Sequence, residues 1–422
     1  MRLYPHLFQP LIDAGKHVTL QNMLDHIKMI KHKLVQQPGN QQDTSMVQWI
    51  REFRPLGFRE RLGMKMIIKY KVVCLVIMLV TFLSFSQTSQ AQIAFVSDRD
   101  WNYEIYVMDS SGNDLRRLTN HPAYDGQPSW SPNDKRIVFV SGRDGGESAE
   151  IYAVDSNGNN LRRLTNHLGK NESPSWSPDG RQIAFVSDRD WNYEIYVMDS
   201  SGSNLRRLTN HPAYDGQPSW SPDSRQIAFV SERDLNYEVY VTDVDGNNLR
   251  RLTNHLGEDE SPSWSPDGRQ IAFVSERNGR FNIYVMDSSG NNLRKLTNHP
   301  AYDGPPNWSP GGQRIAFQSL RDGNFNIYVM DADGDNLRRL TDHRAYDGLP
   351  SWSPDGRQIA FVSERDLNYE VYVTDVDGNN LRNLTNHPVS DFQPDWFNSA
   401  GYLVTPAVNL MTIWGQIKRN SN

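Results

Sequence analysis

From residue 93 onward the chain is built of short apolar runs at fixed intervals, each bounded by polar turn residues. The run Ile-Ala-Phe-Val-Ser, or a close variant, begins at Ile93, Ile137, Ile183, Ile227, Ile271, Ile315 and Ile359. Five of the six intervals are 44 residues and one is 46, the extra two arising in the stretch Gly145-Gly146-Glu147-Ser148. The runs are too short for helices, are rich in β-branched and aromatic residues, and are apolar on both faces. That pattern fits strands covered on both sides. Such a period with several short strands per unit is the signature of a β-propeller blade.

Four strands, A to D, are predicted in each unit. Strand A contains Pro-Ser-Trp-Ser-Pro, with Trp130, Trp176, Trp220, Trp264, Trp308, Trp352 and Trp396 as core anchors. Strand B is the Ile-Ala-Phe-Val-Ser run. Strand C is Glu-Ile-Tyr-Val-Met-Asp, as at 104–109, and strand D is Leu-Arg-Arg-Leu-Thr, as at 115–119. Ser-Pro-Asp-Gly at 177–180 joins A to B, and Asp-Val-Asp-Gly-Asn at 243–247 joins C to D. Gly and Asn tolerate the positive φ of tight hairpins. The chain enters the first unit at strand B and leaves the last after a lone strand A near Gln393–Trp396. Pairing that last A with the first B closes a ring without an open edge. The expected fold is therefore all-β: a seven-bladed propeller of four-stranded antiparallel blades over 92–399.

The amino-terminal segment reads differently. Residues 64–91 combine a basic head, an apolar run from Val72 to Phe85 and a small-residue end at Ala91, the pattern of a secretory signal peptide. The run is short for a membrane span. Cleavage after Ala91 is expected, with no stable membrane insertion afterwards. Residues 1–63 carry one amphipathic helical pattern, at Leu20, Met23, Leu24, Ile27, Ile30 and Leu34, and are read as an extension ahead of the true start. Residues 400–422 form a tail with no recognisable blade strands.

Charge and cysteine content narrow the chemistry. Residues 92–422 carry 32 Lys/Arg against 45 Asp/Glu, a net of −13. So acidic a domain repels phosphate backbones, which argues against nucleic acid. The sole cysteine, Cys74, lies outside the repeats, so the propeller has no disulfide and no thiol nucleophile. No cofactor and no metal are expected, and the folded chain is read as a monomer. Asp243-Val-Asp-Gly-Asn and Asp331-Ala-Asp-Gly-Asp resemble oxygen-rich calcium loops but lack the closing acidic residue, and hairpin turns account for them.

Strand direction puts the B–C and D–A loops on one face. An arginine recurs in every B–C loop: Arg99, Arg143, Arg189, Arg233, Arg277, Arg321 and Arg365. One histidine per unit stands in the D–A loops, from His121 to His387, followed four residues later by an acid or Asn. A residue repeated seven times first suggests a structural duty. The variable aromatics suggest contact, because exposed aromatics beside arginine anchor interfaces. The candidate contact residues are Arg99, Trp101, Tyr124, Asp125, Arg189, Trp191, Tyr214, Asp215, Tyr302, Asp303, Tyr346 and Asp347. Leu235 and Leu367 replace the tryptophan in two units, and Gly145, Gly279 and Gly323 in three.

The motif Trp-Ser-Pro-Asp-Gly-Arg-Gln-Ile-Ala-Phe-Val-Ser-Glu-Arg at 264–277, followed by Asn-Ile-Tyr-Val-Met-Asp at 282–287, resembles the PD40 repeat of the TolB-like propeller family. The resemblance implies a periplasmic or secreted propeller that binds a protein or peptide of the cell envelope without catalysis. TolB itself has six blades and a preceding α/β domain, whereas seven units are counted here and no such domain is visible. Prolyl oligopeptidases share the repeat type, but their hydrolase domain needs a Gly-x-Ser-x-Gly elbow, which is absent. The alternative from another class is a metal-dependent polysaccharide lyase, or a carbohydrate-binding module, using the channel histidines.

Overall fold

The computed structural model describes residues 91–397 except 146, 147 and 278. The expected signal peptide, the helix over 20–34 and the tail lie outside the described residues. All the strands below belong to the unit Thr88–Asn422.

Blade 1 opens with β1 (Gln92–Ser97), β2 (Glu104–Asp109) and β3 (Arg116–Arg117). Blade 2 is β4 (Asp125–Trp130), β5 (Arg136–Ser141), β6 (Glu150–Asp155) and β7 (Arg162–Arg163). Blade 3 is β8 (Asn171–Trp176), β9 (Gln182–Ser187), β10 (Glu194–Asp199) and β11 (Arg206–Arg207). Blade 4 is β12 (Asp215–Trp220), β13 (Gln226–Ser231), β14 (Glu238–Asp243) and β15 (Arg250–Arg251). Blade 5 is β16 (Asp259–Trp264), β17 (Gln270–Ser275), β18 (Asn282–Asp287) and β19 (Arg294–Lys295). Blade 6 is β20 (Asn307–Trp308), β21 (Arg314–Ser319), β22 (Asn326–Asp331) and β23 (Arg338–Arg339). Blade 7 is β24 (Asp347–Trp352), β25 (Gln358–Ser363), β26 (Glu370–Asp375) and β27 (Arg382–Asn383), and β28 (Asp391–Trp396) returns to complete blade 1. Seven antiparallel four-stranded sheets result, with β28 beside β1. Ile93 pairs with Trp396 and Ser97 with Asp391 across that seam, so the ring closes as the strand count requires.

Packing explains why strands B and C are apolar throughout. Each sheet presents one face to the blade before it and the other to the blade after. Ala94, Val96, Ile105 and Val107 of blade 1 meet Trp130, Ile137, Phe139, Tyr152 and Val154 of blade 2 in one buried cluster. The equivalent cluster at the seam joins Ile93, Phe95, Tyr106, Met108 and Trp396 to Ala360, Val371, Val373 and Leu384. All seven strand A tryptophans are at most 5 % exposed. Five of the indoles also tie blades together. Trp176 donates to the Ser129 carbonyl (3.2 Å), Trp352 to Asn307 (2.9 Å), and Trp130 to Asp395 (3.1 Å).

Two strands differ from expectation. Strand D is expected over five residues, as at 115–119, but holds ladder pairing only over two, such as Arg116–Arg117. Beyond them the Thr119 hydroxyl takes the Ile105 N–H (2.9 Å), so a side chain replaces the backbone acceptor. Strand A carries a bulge, visible as the register shift between Gly126 and Ser129, with Gln127 at φ 53°. Blade 6 has Pro305 at the bulge position. A proline ring holds φ near −65° and cannot take the left-handed conformation. There strand A shrinks to Asn307–Trp308, and Asp303 keeps only an isolated bridge to Ser319.

Candidate functional site

The B–C loop is a tight turn pinned on three sides. Arg99 turns inward: its Nε donates to Ser97 Oγ (2.8 Å), its Nη2 reaches Asp391 (3.1 Å), and its guanidinium stacks 4.6 Å from the Tyr106 ring centre. Asp100 accepts the Tyr106 hydroxyl and pairs with Arg117 of β3 (2.9 Å). Asn102 donates to Glu104 Oε1 (2.7 Å) and to the His121 carbonyl. Trp101 stands between these anchors. Its N–H closes the turn on the Asp98 carbonyl (2.9 Å), at φ 67°, and its side chain is 95 % exposed.

The D–A loop hangs from the same framework. Glu104 is fully buried and accepts from Arg117 (2.9 Å), Thr119 and the His121 N–H (2.6 Å). In blade 3 burial pushes the equivalent Glu194 up, but donation from Thr209, Asn192, Arg207 and His211 outweighs it and holds the carboxyl below its ordinary range. In blade 7 Asn383 takes the arginine's place, and burial leaves Glu370 above that range. The histidines serve the same loop. Nδ1 of His121 accepts the Ala123 N–H (3.2 Å), and His167, His211, His255, His299 and His343 repeat the bond.

The structure sorts the sequence-derived candidates into two groups. Asp125, Asp215, Asp303 and Asp347 have no exposed surface. They hold the arginines that follow strand B of their own sheets: Arg143 (2.7 Å), Arg233 (2.8 Å), Arg321 (2.7 Å) and Arg365 (2.9 Å). Arg99 meets Asp391 in this way across the seam, and Arg189 meets Asn171 (2.8 Å). These groups shape the loops from beneath. Trp101 and Trp191 face outward. Leu235 and Leu367 occupy the same turn position and are 96 % and 97 % exposed, and Leu168 and Leu256 of two D–A loops are as bare. Every large apolar residue more than nine-tenths exposed among the described residues is one of these six, and all lie on this face. Sequence reasoning missed Leu168 and Leu256, whose signal was the replacement of Pro in His-Pro-Ala-Tyr.

Tyr124, Tyr214, Tyr302 and Tyr346 belong to an aromatic belt at the channel mouth. Tyr103 contacts Tyr124 (5.6 Å between ring centres) and Phe392 (5.8 Å). The chain of contacts continues through Tyr369, Tyr346, Phe325 and Tyr302 to Phe281. Tyr193, Tyr214 and Tyr237 form a separate arc. The belt is interrupted at Lys170 and Glu258, which stand where four other blades have tyrosine. In those same two blades a glutamate, Glu172 or Glu260, replaces the glycine two residues later.

Comparison with known proteins agrees with this architecture. A family model described as the TolB beta propeller domain matches residues 84–168, 210–304 and 293–409. A second, the Tricorn protease N-terminal beta propeller domain, matches 147–238. No curated protein matches the chain. Among solved structures, TolB from Acinetobacter baumannii is 22 % identical, with 70 % of this chain and 79 % of that chain covered and a TM-score of 0.50. An oligogalacturonate lyase from Vibrio parahaemolyticus is 15 % identical, covering 71 % and 86 %, with a TM-score of 0.55. A puromycin-hydrolyzing peptidase of Mycobacterium tuberculosis is 16 % identical, covering 70 % of this chain but 53 % of that one, with a TM-score of 0.57. At such identities the solved structures carry the fold alone, while the repeat model spans more than half of the residues: the chain belongs to the TolB β-propeller family.

Proposed function

We propose that this propeller is a non-catalytic, extracytoplasmic scaffold that binds a protein or peptide of the cell envelope on its loop face and channel mouth. The observation that carries the reading is the conformation of the rim. Trp101, Trp191, Leu235 and Leu367 sit at φ 67°, 74°, 76° and 74°, a region in which bulky residues are strained. Their side chains touch almost nothing, so packing does not offset the strain. Strain without a packing reason points to use of the side chain outside the fold. The turns beneath are pinned by buried ion pairs and hydrogen bonds, which presents the apolar tips without a large ordering cost on binding. The envelope location rests on the signal-peptide pattern and on the family. Among the described residues no helix is long and apolar enough to cross a membrane.

The likeness to lyases and peptidases is one of shape. Six of the seven loop histidines engage Nδ1 with a backbone N–H, and among the described residues no three His, Cys, Asp or Glu side chains are grouped to share an ion. The test of the scaffold reading is affinity capture from solubilised native envelopes. Wild type retains a specific partner, Trp101→Ala/Trp191→Ala loses it, and Leu205→Ala, at the start of a strand D, keeps it. Equal recovery by all three proteins overturns the rim as the contact surface.

A further inference from the structure

Seven copies of one blade let the chain serve as its own comparison, since whatever the fold needs is repeated. The bulge residue of strand A is glutamine in blades 1, 2 and 4, at Gln393, Gln127 and Gln217, and Ser, Pro or Leu in the rest. Blades 1 and 2 are the only neighbours that both carry it. Gln393 Oε1 accepts the Gln127 N–H (2.9 Å) across their junction. A backbone N–H only donates, so the oxygen faces Gln127 and the amide nitrogen turns away from it. That nitrogen can donate but not accept. Gln393 is partly exposed, and its Nε2 is neither sealed nor taken by an acceptor among the described residues.

A row of rings borders this amide. Tyr369, Phe392, Tyr103 and Tyr124 follow one another across blades 7, 1 and 2, with centres 5.4, 5.8 and 5.6 Å apart. Successive rings are tilted by 46°, 51° and 68°, so the row is corrugated. Phe392 precedes Gln393 in β28 and breaks the repeat, since its position is glycine in four blades and glutamate in two. The Tyr124 hydroxyl lies over Gly126, next to Gln127. Tyr103 and Tyr124 are the most exposed rings of the belt, at 40 % and 39 %. The carboxylates beside the row are turned inward, Asp391 to Arg99 (3.1 Å) and Asp125 to Arg143 (2.7 Å). An ordinary peptide laid here would bury backbone N–H groups against rings and an amide donor, which is costly. A proline-rich segment offers carbonyls without those N–H groups, and its rings pack on aromatic faces. Its polyproline II helix exists before binding, so little freedom is lost.

We infer that the mouth sector of blades 7, 1 and 2 seats a proline-rich segment of the bound partner in polyproline II form. The segment's rings lie against Phe392, Tyr103 and Tyr124, and Gln393 Nε2 donates to one of its carbonyls. This inference rests on the loop face and mouth being the contact surface, and it names the partner's chemistry there.

The test titrates the full-length protein by calorimetry with acetyl-hexaproline-amide, beside a Gly-Ser hexapeptide and maltohexaose. Hexaproline binds, the Gly-Ser peptide binds at least about tenfold more weakly, and the sugar does not bind. Two variants copy residues that other blades already hold at these positions: Tyr103→Ala follows Ala149, and Gln393→Leu follows Leu349. Each weakens hexaproline about tenfold while the protein still melts as a folded propeller. Gln217→Leu, the same change in blade 4, leaves hexaproline binding as in wild type. Equal affinity for the two peptides, binding of the sugar alone, unaltered affinity in both mouth variants, or no binding up to about 10 mM overturns the proposal. Failure of the titration with envelope capture intact strikes the proline seat alone. Failure of the rim reading shows instead in envelope capture.

Discussion

Tyr124 folds back over Gly126 so closely that a β-carbon on that glycine would stand 1.9 Å from the tyrosine hydroxyl oxygen. Tyr214 over Gly216 and Tyr346 over Gly348 repeat the arrangement, each at 2.1 Å. The pair is exchanged as a unit elsewhere: Lys170 with Glu172, Glu258 with Glu260, Ser390 with Phe392. Gly126→Ala must therefore expel Tyr124 from the belt. The expected cost is about 1–2 kcal/mol, the range for overpacking a well-filled site. Tyr124→Ser/Gly126→Ala should recover most of it, so a double-mutant cycle read by urea denaturation gives strong coupling. Additive losses would show that the two residues do not share the space.

The buried ion pairs beneath the loops are tested by the blade that does without one. Asp215 is fully buried and pairs with Arg233, which lies 4.6 Å from the Tyr240 ring centre. Asp215→Ala leaves that guanidinium without its acceptor and should cost about 3 kcal/mol. Asp215→Asn should cost about 1 kcal/mol, because Asn171 already accepts from Arg189 (2.8 Å) at the equivalent position. Calorimetric melting of the two variants reads the difference. Equal losses would mean that charge, and not the acceptor, holds the turn.

Most of the architecture was legible in the sequence because a propeller repeats its instructions. The 44-residue period, the tryptophan in every strand A and the odd strand at the end carry blade number and closure without any side-chain detail. The site was less legible. Arg99 and Asp125 look like surface chemistry in a linear reading, yet each is drawn beneath a loop by a partner from a distant strand, Asp391 in one case and Arg143 in the other. Residue type alone does not distinguish a buried pair from an exposed one. The left-handed backbone at Trp101 was also hidden, although Gly145, Gly279 and Gly323 in the same position hinted at it. Glu172 and Glu260 were visible only as departures from the repeat.

Asp395 makes the seam sensitive to pH. It stands in β28 where five other blades have serine and one has asparagine just before the tryptophan, and its Oδ2 accepts the Trp130 N–H (3.1 Å). Burial raises its carboxyl from 3.8 to about 7, and the bond from Trp130 only partly opposes this. The folded state thus keeps a proton that the unfolded chain releases above about pH 4. Between the two values the unfolded state binds fewer protons, so stability falls as pH rises and the loss is complete above about pH 7. Asp395→Asn keeps the acceptor and removes the titration. It should match wild type near pH 4 and exceed it by about 4 kcal/mol at pH 8. Guanidinium denaturation at the two pH values measures this, and a constant difference would place the titrating group elsewhere.

The rim tryptophans should trade stability against binding. Trp101 and Trp191 hold φ of 67° and 74°, where blades 2, 5 and 6 have Gly145, Gly279 and Gly323 at 79°, 69° and 90°. A β-carbon on any of those glycines meets nothing within 4 Å, so the site offers a side chain neither clash nor contact. Trp101→Gly/Trp191→Gly therefore removes backbone strain and loses no packing. The expected gain is about 0.5–1 kcal/mol for each change, since the relief of the left-handed conformation exceeds the extra chain entropy of glycine. The same variant should fail to retain the envelope partner, an outcome opposite in sign to that of a core substitution, which weakens stability and binding together. Thermal melting and affinity capture on one preparation read both effects. A loss of stability would mean that the indoles pack against the fold, and unchanged capture would move the contact surface away from these turns.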